Sequence, residues 1–367
     1  RGYAIDHYYD EHADVPTVYL GGWYDSYARG TTANYMALSK KMKTPQHLFM
    51  GPWTHGGWGE SFSGDVDFGA DSVLDDYNGY RLRWFDRWLK GIDNGVDGDK
   101  PVRLFTMGGG TSRKDRNGKL DHGGSWHDID DWPLPGTQYT PYHVHADGSL
   151  GVTQPEPSQP TCYTYDPRDP VPTMGGGVSA ANDIMPPGGF DQRGDTRFYG
   201  CHDTLPVAAR SDVLVFQTTE LQEPVEVTGP ITVRLWAASS AIDTDFTAKL
   251  IDVHPANADY PDGFSQNISD SIIRARYRNS RDTPQMLTPG QITQFDIVLY
   301  PTSNLFGVGH RIRLDISSSN FPRFDINPNT GGALGQDRRV QLAEQAVHHD
   351  PEHPTHVVLP IIPTDRQ

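Results

Sequence analysis

The 367-residue chain has a formal net charge of −16 and is 36% hydrophobic and 11% aromatic, with 38 Gly and 29 Pro. This composition is typical of a folded, turn-rich protein with many β-strands, and at this length we expect two domains rather than one. The negative charge without any Lys- or Arg-rich block disfavours nucleic acid as a partner, and the lack of an apolar run of about 20 residues argues against membrane insertion.

The first ninety residues predict the order strand, helix, strand, helix. Residues 15–21 form a short apolar run, which is typical of a strand buried on both faces in a parallel sheet, and residues 47–50 form a second. A helix is predicted over about 27–43, before Pro45, and a strongly amphipathic one over 75–90, ended by Gly91. This alternation favours part of an α/β sheet.

After Gly91 the chain changes to short β-rich runs between Gly, Pro and Asp turns. Because no convincing helical period remains, this part predicts a β-sandwich or jelly roll. The predicted strands are 102–107, 139–145, 213–218, 225–238, 246–253, 268–278, 292–300, 310–319 and 356–362.

Two loops carry residue types suited to catalysis. Asp25 follows the first predicted strand in Gly-Gly-Trp-Tyr-Asp-Ser-Tyr, and His55 follows the second in Gly-Pro-Trp-Thr-His-Gly-Gly-Trp. The carboxyl ends of parallel strands meet at one edge of the sheet, where ligand sites of open α/β sheets lie. A carboxylate that holds an imidazole in one tautomer lets the imidazole take a proton from a nucleophile. We therefore predict that Asp25 orients His55 and that His55 is the general base.

The nucleophile is predicted to lie outside this chain. In an α/β-hydrolase the acid and the histidine follow the nucleophile along the chain, and the thirty-residue gap between Asp25 and His55 fits that order. No Gly-x-Ser-x-Gly elbow is present, and the nearest string, residues 59–63, lacks the second Gly. The first residue is Arg1 rather than Met, so we expect the chain to belong to a longer protein.

A non-catalytic interpretation stays open beside the enzymatic one. An Asp after a strand is often a helix cap, and a Trp-Thr-His loop can be a packed aromatic corner. The chain is then a β-sandwich binding module, with carbohydrate as one candidate ligand. Asp25 and His55 within hydrogen-bond reach at an accessible cleft favour the enzyme, and diverging side chains favour the module.

Motifs along the whole chain occur at 22–25, 51–55, 83–91, 131–135, 165–167, 169–172, 239–249, 317–322, 329–332 and 353–356. In this order they resemble the CocE/NonD family of serine hydrolases, the cocaine esterase and X-Pro dipeptidyl-peptidase group. The resemblance implies a fold class of α/β plus all-β. Residues 1–95 are then the C-terminal part of an α/β-hydrolase sheet, and residues 96–367 are a jelly-roll β-sandwich.

The resemblance also implies acyl transfer on a small-molecule ester or amide. The serine and the oxyanion donors then come from an N-terminal part of the hydrolase, in the same polypeptide or as a separate chain. This chain alone is expected to be inactive. No cofactor is implied.

The substrate pocket is predicted from residues near the two loops. Members that bind a substrate ammonium carry acidic residues after the catalytic Asp, whereas Ser26, Tyr27 and Ala28 follow here. By the resemblance, Tyr27 instead suits an aromatic or other apolar acyl group, and Val178, Ser179 and Ala180 imply a pocket that is roomier than that of the cocaine esterase or shaped for another acyl group. The predicted substrate-binding residues are Trp23, Tyr27, Trp53, Trp58, Val178 and Ser179.

No metal site is expected from the sequence. His143 and His145 share a face of a predicted strand, but no third ligand is evident. Cys162 and Cys201 form one disulfide or are two buried thiols. The natural substrate, the compartment and the oligomeric state, a homo-oligomer included, are left open.

Overall fold

The computed structural model describes residues 4–179 and 183–363, which are mostly β-structure with two α-helices. The helices are α1 (Ala28–Leu38) and α2 (Tyr77–Lys90), with 3₁₀ turns at Ile5–His7, Ala70–Ser72, Val96–Gly98, Val207–Ala209 and Ala275–Tyr277. The first ten strands are β1 (Thr17–Tyr24), β2 (Gln46–Thr54), β3 (Phe62–Ser63), β4 (Val66–Asp67), β5 (Val102–Met107), β6 (Leu120–Asp121), β7 (Gly124–Ile129), β8 (Gln138–Val144), β9 (Leu150–Gly151) and β10 (Thr161–Tyr165). The others are β11 (Leu214–Gln217), β12 (Val225–Gly229), β13 (Thr232–Ser239), β14 (Asp245–His254), β15 (Phe264–Arg274), β16 (Thr293–Val298), β17 (Thr302–Phe306), β18 (Arg311–Ser317), β19 (Ala343–His348) and β20 (His356–Ile362).

The predicted order strand, helix, strand, helix is confirmed for the first ninety residues. Helix α2 begins after Asp76, whose carboxylate accepts from the Gly79 N–H at 2.9 Å, and ends at Gly91 in the left-handed conformation with a φ of 70°. Both strands run further than predicted, β1 to Tyr24 and β2 to Thr54. Helix α1 ends earlier than predicted, at Leu38.

Each of the nine predicted β-rich runs overlaps an observed strand, and the run 225–238 is two strands, β12 and β13, separated at Pro230. Four strands of five or six residues were missed: β7, β10, β17 and β19. Their sequences mix polar and apolar residues without a strong alternation, as in Ala-Glu-Gln-Ala-Val-His of β19. The pairing of these strands depends on their neighbours in the sheet, which a local pattern does not report.

One large sheet joins the two parts of the chain. Strands β1, β2, β5 and β17 are parallel neighbours, and the sheet then continues through β12, β20, β13, β19 and β10 with antiparallel pairing. A second sheet has the order β11, β18, β14, β15. The two sheets share an apolar core, in which the Phe246 and Phe295 rings lie 4.9 Å apart. The two predicted regions are therefore connected through a continuous set of backbone hydrogen bonds.

Two features of the N-terminal part lack a partner within residues 4–179 and 183–363. Strand β1 lies at the end of the large sheet and pairs there only with β2. Helix α2 buries Trp84 but exposes Leu82, Phe85 and Leu89 by 57%, 48% and 77%. An open strand edge and an exposed apolar helix face are each typical of a surface that another segment covers.

Of the two alternatives for the cysteines, free thiols are confirmed, but the expected burial is wrong. Cys162 and Cys201 are free thiols, but Cys162 is exposed and Cys201 is half-buried. Among the helices that the structure describes, none combines the length and the apolar character needed to cross a bilayer.

Candidate active site

Asp25 and His55 are each the first residue after a parallel strand. Strand β1 ends at Tyr24 and β2 at Thr54, and the register pairs these two residues. The chain directions of parallel strands agree, so the residues that follow emerge side by side at the carboxyl edge of the sheet. The backbone therefore brings the two predicted catalytic residues together.

The two side chains form a hydrogen bond, with His55 Nδ1 3.0 Å from Asp25 Oδ2. The other carboxylate oxygen of Asp25 accepts from the Tyr27 N–H at 2.9 Å, which fixes the orientation of the carboxylate. The Asp25 side chain is 10% exposed, whereas that of His55 is 57% exposed. An anchored carboxylate and a solvent-facing imidazole are the arrangement in which a histidine can exchange protons with a nucleophile.

An irregular pairing beside the site depends on Gly22. Gly22 pairs with Gly51 and Tyr24 pairs with Thr54. Between these two pairs β1 advances by two residues and β2 by three, so β2 carries a bulge there. A Cβ atom on Gly22 would lie 2.1 Å from the Trp53 carbonyl oxygen. Only glycine permits this close approach of the two strands, and the approach sets the positions of Asp25 and His55.

A loop from the β-rich part reaches the same edge. The Ser179 hydroxyl lies 2.6 Å from that of Ser26, next to Asp25. The backbone of the loop also touches the Asp25 backbone, because a Cβ on Gly177 would lie 2.9 Å from the Asp25 carbonyl oxygen. Ser179 is thus beside the pair, as predicted from its position in the sequence, while Ala180 lies outside the described residues.

Tyr27 lies against the imidazole, with the ring centres of Tyr27 and His55 5.2 Å apart, and is 60% exposed. Trp58 is half-buried and stacks on Tyr77 with ring centres 4.6 Å apart. Among the described residues, Tyr27 is therefore the predicted aromatic pocket residue whose ring lies against the His55 imidazole.

Three predicted substrate-binding residues are buried instead. Trp23 donates its indole N–H to the Phe105 carbonyl at 2.7 Å, and Trp53 donates to the Ser72 carbonyl at 2.8 Å. Each is 2% exposed, and Val178 is 3% exposed. The prediction was wrong for the tryptophans because β1 and β2 continue past their glycines, so that Trp23 and Trp53 are strand residues facing the core.

The sequence analysis missed the link between this edge and the second sheet. The buried Tyr24 hydroxyl donates to the Asn267 carbonyl at 2.9 Å and accepts from the Gln266 amide at 3.0 Å. Burial raises the pKa of Tyr24, so the hydroxyl stays protonated and can donate. These bonds attach the residue before Asp25 to β15, and the Tyr in the Gly-Trp-Tyr-Asp motif was their only signal.

A second histidine–aspartate pair lies in the interior. His310 Nδ1 is 2.7 Å from Asp252 Oδ1, and Ser112 Oγ lies 3.3 Å from His310 Nε2 and 2.8 Å from His254 Nδ1. His254 Nε2 lies 3.1 Å from Gln266 Oε1. Burial lowers the pKa of His254 to about 3, so this imidazole is neutral. We call these residues, with His122 and Asn304, the interior polar cluster.

Two groups in the described part of the chain have spacing that a metal ion could use. His122, Asp252 and His254 are buried, and His348, Asp350 and His353 are half-buried. In the first group His122 Nε2 is 2.8 Å from Asn304 Oδ1, and both nitrogens of His254 have protein partners. This first group is therefore a satisfied hydrogen-bond network, which a metal would have to dismantle.

Comparison with known proteins identifies relatives of the chain. Residues 94–358 match the X-Pro dipeptidyl-peptidase C-terminal non-catalytic domain, and residues 2–57 match the X-Pro dipeptidyl-peptidase S15 family. The cocaine esterase of a Rhodococcus species is 36% identical over 360 residues, covering 95% of this chain and 56% of that protein.

Two solved structures are similar to this chain over nearly its whole length. An aminopeptidase from a marine sediment Thaumarchaeota archaeon superposes with a TM-score of 0.78 at 28% identity, and an α-amino acid ester hydrolase does so with 0.78 at 27%. Each covers 98% of this chain, which in turn covers 57% of each. The chain spans little more than half the length of the relatives it matches.

Proposed function

Because the chain belongs to the CocE/NonD family of serine hydrolases, the cocaine esterase and X-Pro dipeptidyl-peptidase group, we propose that it supplies Asp25 and His55 to a Ser–His–Asp triad. The substrate is a carboxylic ester or amide, cleaved through an acyl-enzyme. The observation that carries the proposal is the 3.0 Å hydrogen bond between His55 Nδ1 and Asp25 Oδ2 at the carboxyl edge of two parallel strands.

In the proposed mechanism the serine hydroxyl comes from an N-terminal part of the hydrolase. His55 Nε2 takes the hydroxyl proton as the oxygen attacks the substrate carbonyl, and then gives the proton to the leaving group. Asp25 keeps the His55 proton on Nδ1 and stabilises the imidazolium by its negative charge. The same steps with water as the nucleophile release the acid. The oxyanion donors also belong to the N-terminal part.

Two surface features support an N-terminal part, in the same polypeptide or as a separate chain. The open edge of β1 offers backbone groups to a further strand, and the exposed face of α2 offers Leu82, Phe85 and Leu89 to apolar packing. The exposed imidazole of His55 lies on the carboxyl edge of the same strands. A part that extends the sheet beside β1 can therefore bring a serine to His55.

The finer description of the fold is also a proposal. We assign residues 1–95 to the C-terminal part of an α/β-hydrolase sheet and residues 96–367 to a jelly-roll β-sandwich. The family match that begins at residue 94 and the two packed sheets support the division.

For the substrate we propose an ester or amide with an apolar acyl group. The Tyr27 ring beside His55 can pack against such a group, while Ser26 and Ser179 present hydroxyls rather than carboxylates. The alternative, a binding module without catalysis, gains no support from a histidine and aspartate that meet at a solvent-facing edge.

Activity of the reassembled hydrolase tests the proposal. The chain is expressed alone and together with the N-terminal part that carries the Gly-x-Ser-x-Gly elbow, and p-nitrophenyl ester turnover is measured. We expect turnover by the combined protein and none by the chain alone. His55→Ala should lower kcat by about 10⁴ or more, while the exposed His202→Gln should leave kcat unchanged. Turnover by the chain alone, or an active His55→Ala variant, would contradict the proposal.

A further inference from the structure

The turn between β19 and β20 brings together two histidines and an aspartate. His348 ends β19, and Asp350 and His353 lie in the turn before β20 begins at His356. Asp350 Oδ2 lies 3.3 Å from His353 Nδ1 and 3.9 Å from His348 Nδ1. The side chains of His348, Asp350 and His353 are 13%, 21% and 25% exposed. The group is thus shielded on most sides and open to solvent on one.

The separations are close to those of a metal site. Ligand atoms at 2.0–2.2 Å from a tetrahedral ion lie about 3.4 Å from one another. The distance from Asp350 Oδ2 to His353 Nδ1 already has this value, and the distance to His348 Nδ1 exceeds it by about 0.5 Å, which a small side-chain rotation removes. One ligand atom from each residue lies within 4.8 Å of the other two.

The turn is also ordered by backbone contacts, besides the contact between Asp350 and His353 Nδ1. Asp350 Oδ1 accepts from the backbone N–H groups of Glu352 and His353 at 2.8 and 2.9 Å and lies 3.2 Å from His353 Nδ1, while Oδ2 faces both imidazoles. The Thr355 hydroxyl donates to the His348 carbonyl at 2.6 Å and accepts from the Trp236 N–H at 2.9 Å. A turn held in this way loses little conformational freedom when it binds an ion.

One aromatic contact and the charge of the carboxylate add to this order. The His353 ring packs on Trp236 at 5.3 Å. Within residues 4–179 and 183–363, Asp350 has ion-pair contacts with histidines and with no Lys or Arg. Its negative charge is therefore available to a cation that arrives from solvent.

We propose that His348, Asp350 and His353 bind one divalent transition-metal ion such as Zn²⁺, with water completing the coordination. Two imidazoles and one carboxylate suit Zn²⁺, Co²⁺, Ni²⁺ and Cu²⁺, whereas Ca²⁺ and Mg²⁺ prefer six or more oxygen ligands. The bound ion joins the end of β19 to the turn before β20. When His353 binds through Nδ1, its proton resides on Nε2.

The site is independent of the proposed catalytic residues. The sequence analysis expected no metal, because it considered His143 and His145 and found no third ligand. The spacing His-x-Asp-x-x-His in residues 348–353 was the available signal. The buried group of His122, Asp252 and His254 is a weaker candidate, since its imidazoles are bonded to residues outside the group, whereas His353 Nδ1 is bonded to Asp350 within its own group.

Metal titration of the purified protein tests the proposal. After treatment with a chelator, Zn²⁺ binding is measured by calorimetry, and Co²⁺ is added to observe the visible absorption of a Co²⁺–imidazole complex. We expect one ion per chain at this site and no displacement by a large excess of Mg²⁺ or Ca²⁺. Zn²⁺ should also raise the Tm, because the ion binds the folded state.

Variants locate the binding. His353→Gln should weaken Zn²⁺ affinity by at least about 10–100-fold and abolish the rise in Tm, since even an outer hydrogen-bond partner of a ligand is worth this much. Asp350→Asn should do the same while keeping an oxygen for the turn N–H groups. His145→Gln, a half-buried histidine outside the group, is the matched control and should bind as the original protein does.

Circular dichroism of the metal-free variants shows which of them are folded, and Zn²⁺ affinities are compared among the folded variants. The proposal is overturned by an original protein that takes up no Zn²⁺, or by folded His353→Gln and Asp350→Asn variants with undiminished affinity. It is also overturned if His145→Gln loses as much affinity as they do.

Discussion

Two histidine–aspartate pairs in this chain share a hydrogen-bond pattern and differ in their surroundings. At the sheet edge, His55 Nδ1 lies 3.0 Å from Asp25 Oδ2, and the imidazole is 57% exposed. In the interior, His310 Nδ1 lies 2.7 Å from Asp252 Oδ1, and the imidazole is 11% exposed. The shorter and better buried pair is the one that we do not propose for catalysis.

The interior pair also has a serine next to the second imidazole nitrogen, where a catalytic triad has its nucleophile. Ser112 Oγ lies 3.3 Å from His310 Nε2, and the backbone of Ser112 has a φ of 57°, which is unusual for a residue other than glycine. The same hydroxyl is 2.8 Å from His254 Nδ1, and Ser112 is 8% exposed. The serine and the imidazoles of His254 and His310 are bonded to other protein groups and are buried, so the arrangement is closed to a substrate.

Access therefore separates the two pairs more clearly than distance does. A catalytic imidazole needs an open nitrogen and room for a reacting group. The interior polar cluster instead connects the loop that contains Ser112 and the segment at His122 to the second sheet, to which Asp252 and His254 belong. We expect the edge pair to determine activity and the interior cluster to determine stability.

The sharpest test of this contrast is Asp25→Asn in the reassembled hydrolase. An amide in place of the carboxylate favours the wrong imidazole tautomer, so we expect kcat for a p-nitrophenyl ester to fall by about 10⁴. Asp252→Asn is the matched control and should leave kcat per folded molecule within a few-fold of the original. Equal losses of kcat in both variants would remove the distinction between the pairs.

The interior pair should produce the larger effect on stability. Asp252→Ala leaves His310 Nδ1 and the Asn304 amide, 3.3 Å from Asp252 Oδ2, without their acceptor in a buried site. We expect the free energy of unfolding to fall by about 3–5 kcal/mol, measured by urea denaturation. Asp296→Ala removes an ion pair with Arg234 in which both side chains are 47% exposed, and should cost less than about 1 kcal/mol. Similar costs for the two variants would contradict a stabilising role for the cluster.

The interior cluster should also make the protein sensitive to acid. Burial lowers the pKa of His254 to about 3, and burial likewise lowers the pKa of His122. Burial raises the pKa of Asp252, but the hydrogen bond with His310 helps to hold it below its ordinary value. The unfolded chain therefore binds protons to His254 and His122 below about pH 6.5 more readily than the folded chain does.

The contribution of neutral His254 to the free energy of unfolding is thus fully present above pH 6.5 and is lost as the pH falls toward 3. At pH 5 the loss from this one group should be about 2 kcal/mol. Urea denaturation at pH 7.5, 6 and 5 measures it. His254→Gln should show a smaller decrease over this range, whereas His202→Gln, in an exposed loop, should retain the original dependence. An unchanged pH dependence in His254→Gln would show that other groups cause the acid sensitivity.

The meeting of Asp25 and His55 could be predicted because it depends on strand direction alone. Two apolar runs with an intervening helix predict parallel strands, and the residues after such strands meet at one edge. The ends of the strands could not be predicted in the same way. Gly22 and Gly51 are typical of loop starts, yet Gly22 lies within β1, where its missing Cβ admits the Trp53 carbonyl. Because these glycines are typical of loop starts, Trp23 and Trp53 were predicted to lie in loops that line the pocket.

The interior polar cluster had no signal in the sequence. Its members come from separate strands and loops, and each alone is an ordinary polar residue in the sequence. The pairing of β14 with β18 makes His254 and His310 neighbours, and the tertiary fold places the loop with Ser112 against them. Contacts between residues so distant along the chain depend on the tertiary structure, which local patterns do not encode.

The smallest effect concerns Tyr27, which lies at the edge pair and outside both the hydrogen bond and the core. Its ring centre is 5.2 Å from that of His55, and 60% of the residue is exposed. An aromatic contact is worth about 0.5–1.5 kcal/mol. Tyr27→Ala should therefore raise KM for a benzoyl ester by about 2–10-fold, with a smaller change for an acetyl ester. Tyr199→Ala, a comparably exposed tyrosine at 55%, is the control, and kinetics with both esters measure the difference. If Tyr27→Ala changes KM equally for the two esters, the ring supports His55 rather than binding the acyl group. In that case kcat should also fall.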